Sequence, residues 1–318
     1  MRTVFFGSPP FATPILAGLV SSRHRPVAVV TAPGRPKGRG RKIEESAVAE
    51  LARAEGIRLL QPKTARDPAF VEELSALEAD VFLVASYGEL LRDELLALAR
   101  RVPLNVHPSL LPRHRGATPV PAALLAGDEV TGVAIQRMVR ELDAGDLLLV
   151  REVAIRPGER AGELLARLAE VSAELVLEAL DLVAAQKDTY LPQAEEGVTH
   201  CSRLTKADGV LDFTESALAL ERRVRAMHPW PLARTTLRAG RKTRSLAVHR
   251  AALAPGFPGA EPGTVLLADE RLVVACGEGA LELQEVQLEG KSTLPARDFL
   301  RGARIEAGSR LGEESPVR

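Results

Sequence analysis

The sequence predicts an α/β fold, with a Rossmann-like, mostly parallel sheet carrying helices on both faces and a small C-terminal OB-like β-barrel domain. Three observations predict it. Short unbroken apolar runs alternate with helically spaced stretches through the first half, the pattern of strands buried on both faces and joined by crossover helices. A long helix-forming stretch ends that pattern near residue 185. Short alternating runs separated by Gly and Pro turns follow it, the spacing of a small closed sheet.

In chain order, Thr3–Phe6, Val27–Thr31, Ile57–Leu60, Asp80–Ala85 and Val102–Val106 read as strands. Ser46–Ala54 and Pro68–Leu77 have the apolar spacing and polar backs of surface helices. Gly132–Met138 and Leu147–Ile155 add two strands. Gly162–Ala185 is a helix with Leu164, Leu165, Leu168, Val171 and Leu175 on one stripe. After the polar, aperiodic stretch Gln186–Thr205 come a helix at Ser216–Met227 and strands at Ala233–Leu237, Ser245–His249, Gly263–Leu267, Leu272–Cys276 and Leu281–Val286. The expected division is residues 1–187, a linker over 188–205, and 206–318.

An apolar share of 46% and a charged share of 26% describe a globular chain. No stretch approaches the roughly 18 to 20 apolar residues of a membrane span. The first residues run straight into a strand without the apolar core of a secretory signal. The expectation is a cytoplasmic monomer with no membrane partner. Cys201 and Cys276 lack paired spacing, which argues against a disulfide scaffold and a Cys-based zinc site. Basic and acidic residues balance at 42 each, but unevenly along the chain. Residues 34–42, which read as a flexible cationic loop after the second strand, hold five basic side chains and no acid, and residues 222–250 hold nine and no acid. Such local positive surfaces suit a polyanion. Trp230, in the second stretch, is expected in the core.

The densest chemistry is Asn105-Val106-His107-Pro108-Ser109-Leu110-Leu111-Pro112, which begins where a buried strand ends. Ligands of such sheets bind beyond the carboxyl ends of the strands. Asn105 and His107, two residues apart, project to one side. An amide donor beside an imidazole suits attack on a carbonyl, one stabilising an oxyanion and the other handling a proton. Spacing alone also allows the pair simply to tie down the strand-to-loop corner, and His107 with His114 to bind a metal. Asp143, on the turn Leu142-Asp143-Ala144-Gly145-Asp146, is placed to orient His107, raise its pKa and help accept a proton, with Asp146 as the rival carboxylate. The first turn, Gly7-Ser8-Pro9-Pro10, has one glycine where a dinucleotide site carries three, so NAD is not expected. Gly7 there is expected to let the chain turn and a ligand approach.

Together these segments resemble the methionyl-tRNA formyltransferase family. The resemblance runs from Val4-Phe5-Phe6-Gly7-Ser8-Pro9-Pro10-Phe11 through Gly38-Arg39-Gly40-Arg41-Lys42, Ser86-Tyr87-Gly88, Asn105 to Gly116 and Leu142 to Asp146. It continues at Lys206-Ala207-Asp208-Gly209, His228-Pro229-Trp230-Pro231 and Gln287-Leu288-Glu289-Gly290-Lys291. Glu45-Ser46-Ala47-Val48 stands where the family commonly has Pro-Ser-Pro-Val. The resemblance implies 10-formyltetrahydrofolate as donor, without metal, NAD or DNA, and the amine of initiator methionyl-tRNA as acceptor. It implies Asn105, His107 and Asp143 as the catalytic trio, and the mechanism expected of that trio has Asp143 keeping His107 charged. Folate would lie along Ser86, Tyr87, Gly88, Leu90, Leu91, Ser109, Leu110, Leu111, Pro112 and Leu142. The tRNA would meet Arg35, Lys37, Arg39, Arg41, Lys42, Lys206, Arg222, Arg225, Arg241 and Lys242. A formyltransferase for small amines and a non-catalytic RNA-binding module are the rival readings.

Overall fold

In the computed structural model, β1 (Thr3–Gly7) is buried along its whole length and pairs in parallel with β2 (Ala28–Val30) on one side and β6 (Val81–Ala85) on the other. The structure describes residues 1–37, 42–239, 242–257, 259–303 and 305–312. Between β1 and β2 lies α1 (Ala12–Val20). A two-stranded ribbon, β3 (Arg35–Lys37) and β4 (Lys42–Glu44), stands where a loop was expected. Next come α2 (Ala47–Ala54), β5 (Arg58–Leu60) and α3 (Pro68–Ser75). The Ser46 hydroxyl accepts from the Ala49 amide at 3.1 Å, and the Asp67 carboxylate accepts from the Ala69 amide at 3.1 Å. Each side chain satisfies a helix-terminal donor that no intrahelical carbonyl can reach.

After β6 follow α4 (Asp93–Leu96), β7 (Val102–His107), β8 (Arg115–Gly116), α5 (Pro119–Ala126), β9 (Val130–Arg137), β10 (Leu147–Ala154) and α6 (Ala161–Ala184). The main sheet has seven strands in the order β10-β9-β7-β6-β1-β2-β5. Its five strands from β7 to β5 run parallel, and β9 and β10 join antiparallel. Phe6, Phe82 and Tyr87 meet ring to ring in its core, with centroids 5.2 and 5.5 Å apart. Gly7 does not have a positive φ. Its reason is packing, since a Cβ there would lie 2.7 Å from that of Ala12 and 2.9 Å from the Ala85 carbonyl oxygen.

The second sheet is built from β12 (Ala233–Ala239), β13 (Lys242–Ala254), β14 (Val265–Ala268), β15 (Leu272–Ala275), β16 (Ala280–Leu288) and β17 (Thr293–Pro295), preceded by α7 (Ala217–Ala226) and followed by α8 (Ala296–Gly302). Its order is β12-β13-β16-β15-β14, with β17 on β16. Bridges Leu237↔Leu311 and Thr264↔Arg310 attach one terminal segment to β12 and to the residue before β14, the sheet's two edge strands. That segment covers edges which would otherwise template aggregation.

The chain divides into two compact units, one of residues 1–119, 130–154 and 165–201, the other of 120–129, 155–164 and 202–318. The expected division was 1–187, a linker over 188–205, and 206–318. Residues 188–201 belong with the first unit because β11 (His200–Cys201) pairs with β8. Among the described residues no helix is long and apolar enough to cross a membrane.

Candidate active site

Asn105 and His107 occupy the carboxyl end of β7, and antiparallel pairing sets Gln136 of β9 opposite Asn105. The turn between β9 and β10 brings Asp143 to both. Its Oδ1 accepts from Asn105 Nδ2 at 3.2 Å and Gln136 Nε2 at 3.0 Å, while Oδ2 accepts from the Gly116 amide at 2.8 Å. Oδ2 also lies 3.6 Å from His107 Nδ1. Asp143, and not Asp146, is thus the carboxylate that meets His107. Asp143 adopts a φ of 52°, a conformation that Asp tolerates better than most residues.

His107 is 4% exposed, and its Nε2 donates to the His114 carbonyl at 2.9 Å. With that nitrogen protonated, Nδ1 carries the lone pair and faces Asp143. Burial pushes the His107 pKa below its ordinary value and outweighs the opposing pull of the Asp143 carboxylate and the His114 carbonyl. Burial thus works against the expectation that Asp143 keeps His107 charged, because taking an imidazolium out of water is costly and one nearby carboxylate opposes that cost. The acid limb of the turnover–pH profile is accordingly expected below the ordinary histidine value of about 6.5. Asp143→Asn should move it lower still, since it removes the charge that favours the imidazolium. A steady-state pH profile of both proteins checks this, and an unmoved limb in the variant would assign it to another group.

The sequence reading passed over the groups that hold this trio. Gln136 is 2% exposed in an apolar strand, a buried polar residue and hence a detectable signal. Gln193, whose Nε2 donates to the Asp143 and Gly145 carbonyls, and the Gly116 amide carry no such mark. Gly116 has a φ of 120°, and a Cβ there would sit 2.2 Å from the Cys201 carbonyl oxygen. The Cys201 thiol donates to the His114 and Arg115 carbonyls, at 3.5 and 3.3 Å. Among the described residues no group of three His, Cys, Asp or Glu side chains is arranged to hold a metal ion.

The expected folate residues separate into two kinds. Tyr87 and Leu91 belong to the core, and Ser109 is fully buried with its hydroxyl donating to the Arg113 carbonyl at 2.7 Å. The side chains of these three serve packing and the local turn. Leu111 is buried and Leu110 and Pro112 are partly so, whereas Leu90 and Leu142 are each 59% exposed. Ser86 (φ 52°) and Gly88 (φ 91°) turn the chain sharply at the end of β6.

In the second unit Lys206 is exposed. Arg222 lies over Gly127, within 3.5 Å of the Ala126 carbonyl, and Arg225 binds Glu221 at 2.7 Å and the Glu159 carbonyl at 3.3 Å. Arg222 and Arg225, expected to meet the tRNA, thus also tie down neighbouring segments of their own unit. Trp230, expected inside, is 57% exposed. Arg35 and Lys37 lie in β3, Lys42 in β4 and Lys242 in β13. Gly38, Arg39, Gly40, Arg41 and Arg241 fall outside the described residues.

Residues 1–180 match the family of formyl transferases, and residues 203–304 match the formyl transferase C-terminal domain. Fold and site together define a formyl transferase. The methionyl-tRNA formyltransferase of Methylococcus capsulatus is 43% identical over 98% of this chain and 100% of its own length, and that of Chromohalobacter salexigens is 45% identical over 99% and 98%. The chain belongs to the methionyl-tRNA formyltransferase family. HypX from Aquifex aeolicus, solved in complex with tetrahydrofolic acid, shares the fold at a TM-score of 0.61 and 18% identity over 94% of this chain, which spans 47% of that longer protein.

Proposed function

We propose that the protein transfers the formyl group of 10-formyltetrahydrofolate to the α-amino group of methionine carried by initiator tRNA, supplying formylmethionyl-tRNA for translation initiation in the cytoplasm. The observation that carries this reading is the convergence of Asn105, His107 and Asp143 at the strand ends of a chain in this family. The exposed side chains of Leu90 and Leu142, with the peptide groups at the turn of Ser86 and Gly88, suit a flat heteroaromatic ring that is apolar on its faces and polar at its edge. These residues would hold the donor, which supplies an activated formyl carbon.

Asn105 gives one amide hydrogen to Asp143, leaving the second for the formyl oxygen as negative charge develops there. His107, neutral through burial, offers Nδ1 to the proton of the attacking amine. Asp143, 3.6 Å away, stabilises the imidazolium so formed, and His107 then returns the proton to the departing nitrogen. The ribbon carrying Arg35, Lys37 and Lys42, together with Lys206 and Lys242, supplies the cationic contacts to tRNA, and residues 206–318 form the tRNA-binding domain of a monomer.

Incubation with the formylated folate and charged initiator tRNA is expected to yield formyl-methionine, with kcat/KM falling steeply as salt rises because phosphate contacts release counterions. Formylation of a small amine with a flat salt profile would favour the small-substrate reading, and polyanion binding without transfer the non-catalytic one.

A further inference from the structure

We infer that Gln193 is a positioning residue for the transfer reaction: backed by Arg115, it holds the turn that carries Asp143 so that the carboxylate faces His107. The inference rests on the proposed role of Asp143. That turn has no regular structure of its own, and its residues Glu141 and Leu142 are exposed. Gln193 supplies what is missing. Its Nε2 donates to the carbonyls of Asp143 and Gly145, both at 2.8 Å, and lies 3.3 Å from Gln136 Oε1. Its Oε1 accepts from Arg115 Nε at 3.1 Å and Nη2 at 2.7 Å.

The orientation of the amide is unambiguous, because a guanidinium only donates and a carbonyl only accepts. The two hydrogens of Gln193 Nε2 go to the Asp143 and Gly145 carbonyls, and Gln136, whose Oε1 lies 3.3 Å from the same nitrogen, gives its own Nε2 to Asp143 at 3.0 Å. Arg115 immediately precedes Gly116, whose amide holds the other carboxylate oxygen at 2.8 Å. One carboxylate oxygen and the backbone of Asp143 are thus referred to one short strand, β8. The segment bearing Gln193 is anchored on either side. The Arg137 guanidinium carbon lies over the Tyr190 ring, 4.0 Å from the ring centroid, and Leu191 bridges Leu147. On the far side β11 pairs with β8.

Gln193 touches no reacting atom, so its removal should misplace Asp143 without weakening substrate binding. Gln193→Ala is expected to lower kcat by about 10- to 100-fold, the scale of an ångström-level misplacement, with KM for tRNA and for the folate little changed. Gln193→Glu keeps the shape and the Arg115 contact but turns an anionic oxygen toward the acceptors that Nε2 served. Its turnover relative to the wild-type protein should rise as pH falls, because the protonated carboxyl regains a donor; a merely structural role predicts a ratio flat with pH.

Wild-type turnover in Gln193→Ala, or that flat ratio in Gln193→Glu, overturns the inference. Should Gln193→Ala fail to fold, the Gln193→Glu ratio decides alone. Asp143→Asn separates this inference from the reading beneath it. Normal turnover in Asp143→Asn removes both, whereas a slow Asp143→Asn beside a normal Gln193→Ala removes only the role of Gln193.

Discussion

Asn105→Ala is expected to lower the turnover of formyl transfer by about 10²- to 10³-fold, the usual consequence of losing one oxyanion donor, while tRNA affinity stays nearly intact. The Asn105 amide stands at the end of β7 with one hydrogen committed to Asp143 at 3.2 Å. In the proposed mechanism the other is the donor that strengthens only as charge gathers on the formyl oxygen, so the loss falls on kcat rather than on ground-state binding. The substitution is clean. Asp143 keeps Gln136 at 3.0 Å and the Gly116 amide at 2.8 Å, so the carboxylate stays in place when Asn105 is shortened. Single-turnover formylation beside equilibrium tRNA binding checks this, and near-normal turnover would remove Asn105 from the mechanism.

Gly145→Ala is expected to be the most damaging glycine substitution in the site. A Cβ at Gly145 would lie 1.8 Å from the Arg137 carbonyl oxygen and 2.9 Å from its carbon, backbone atoms at the end of β9 that cannot yield. The turn must lift away instead, against the Arg137 amide's bond to the Asp146 carbonyl at 2.9 Å and the Gln193 bond to the Gly145 carbonyl at 2.8 Å. Asp143 travels with it. Turnover should fall by about 10²-fold for a shift near an ångström, with about 1–3 kcal/mol of stability lost to overpacking.

Gly158→Ala is the comparison. That residue has a φ of 70° and open space where the Cβ would go, so only backbone strain of about 1–2 kcal/mol arises and turnover is retained. Thermal unfolding and kcat on the two variants distinguish a clash that moves the site from strain that does not. Wild-type turnover in Gly145→Ala would show that the turn can shift without moving Asp143.

Much of this molecule was legible from local pattern. The fully apolar runs at β1 and β6 announced strands covered on both faces, and both are buried throughout. Asn105 and His107 were legible for the same reason, since a strand's end and its alternation are local facts. The closure at Leu237↔Leu311 and Thr264↔Arg310 was not, because single bridges leave no period. The ribbon of β3 and β4 was hidden because glycine and positive charge read as loop.

The sequence by itself determined the α/β class, the C-terminal barrel and the pairing of an amide with an imidazole at a strand end, all set by a few consecutive residues. Only the tertiary structure decided that Asp143 rather than Asp146 meets His107, that burial outweighs the carboxylate on the imidazole, and that the stretch after α6 braces the site. The bond from Gln193 to the Asp143 carbonyl spans 50 residues. Neither partner's neighbours in the chain prefer it, and it exists only once β8 and β11 have brought the two together.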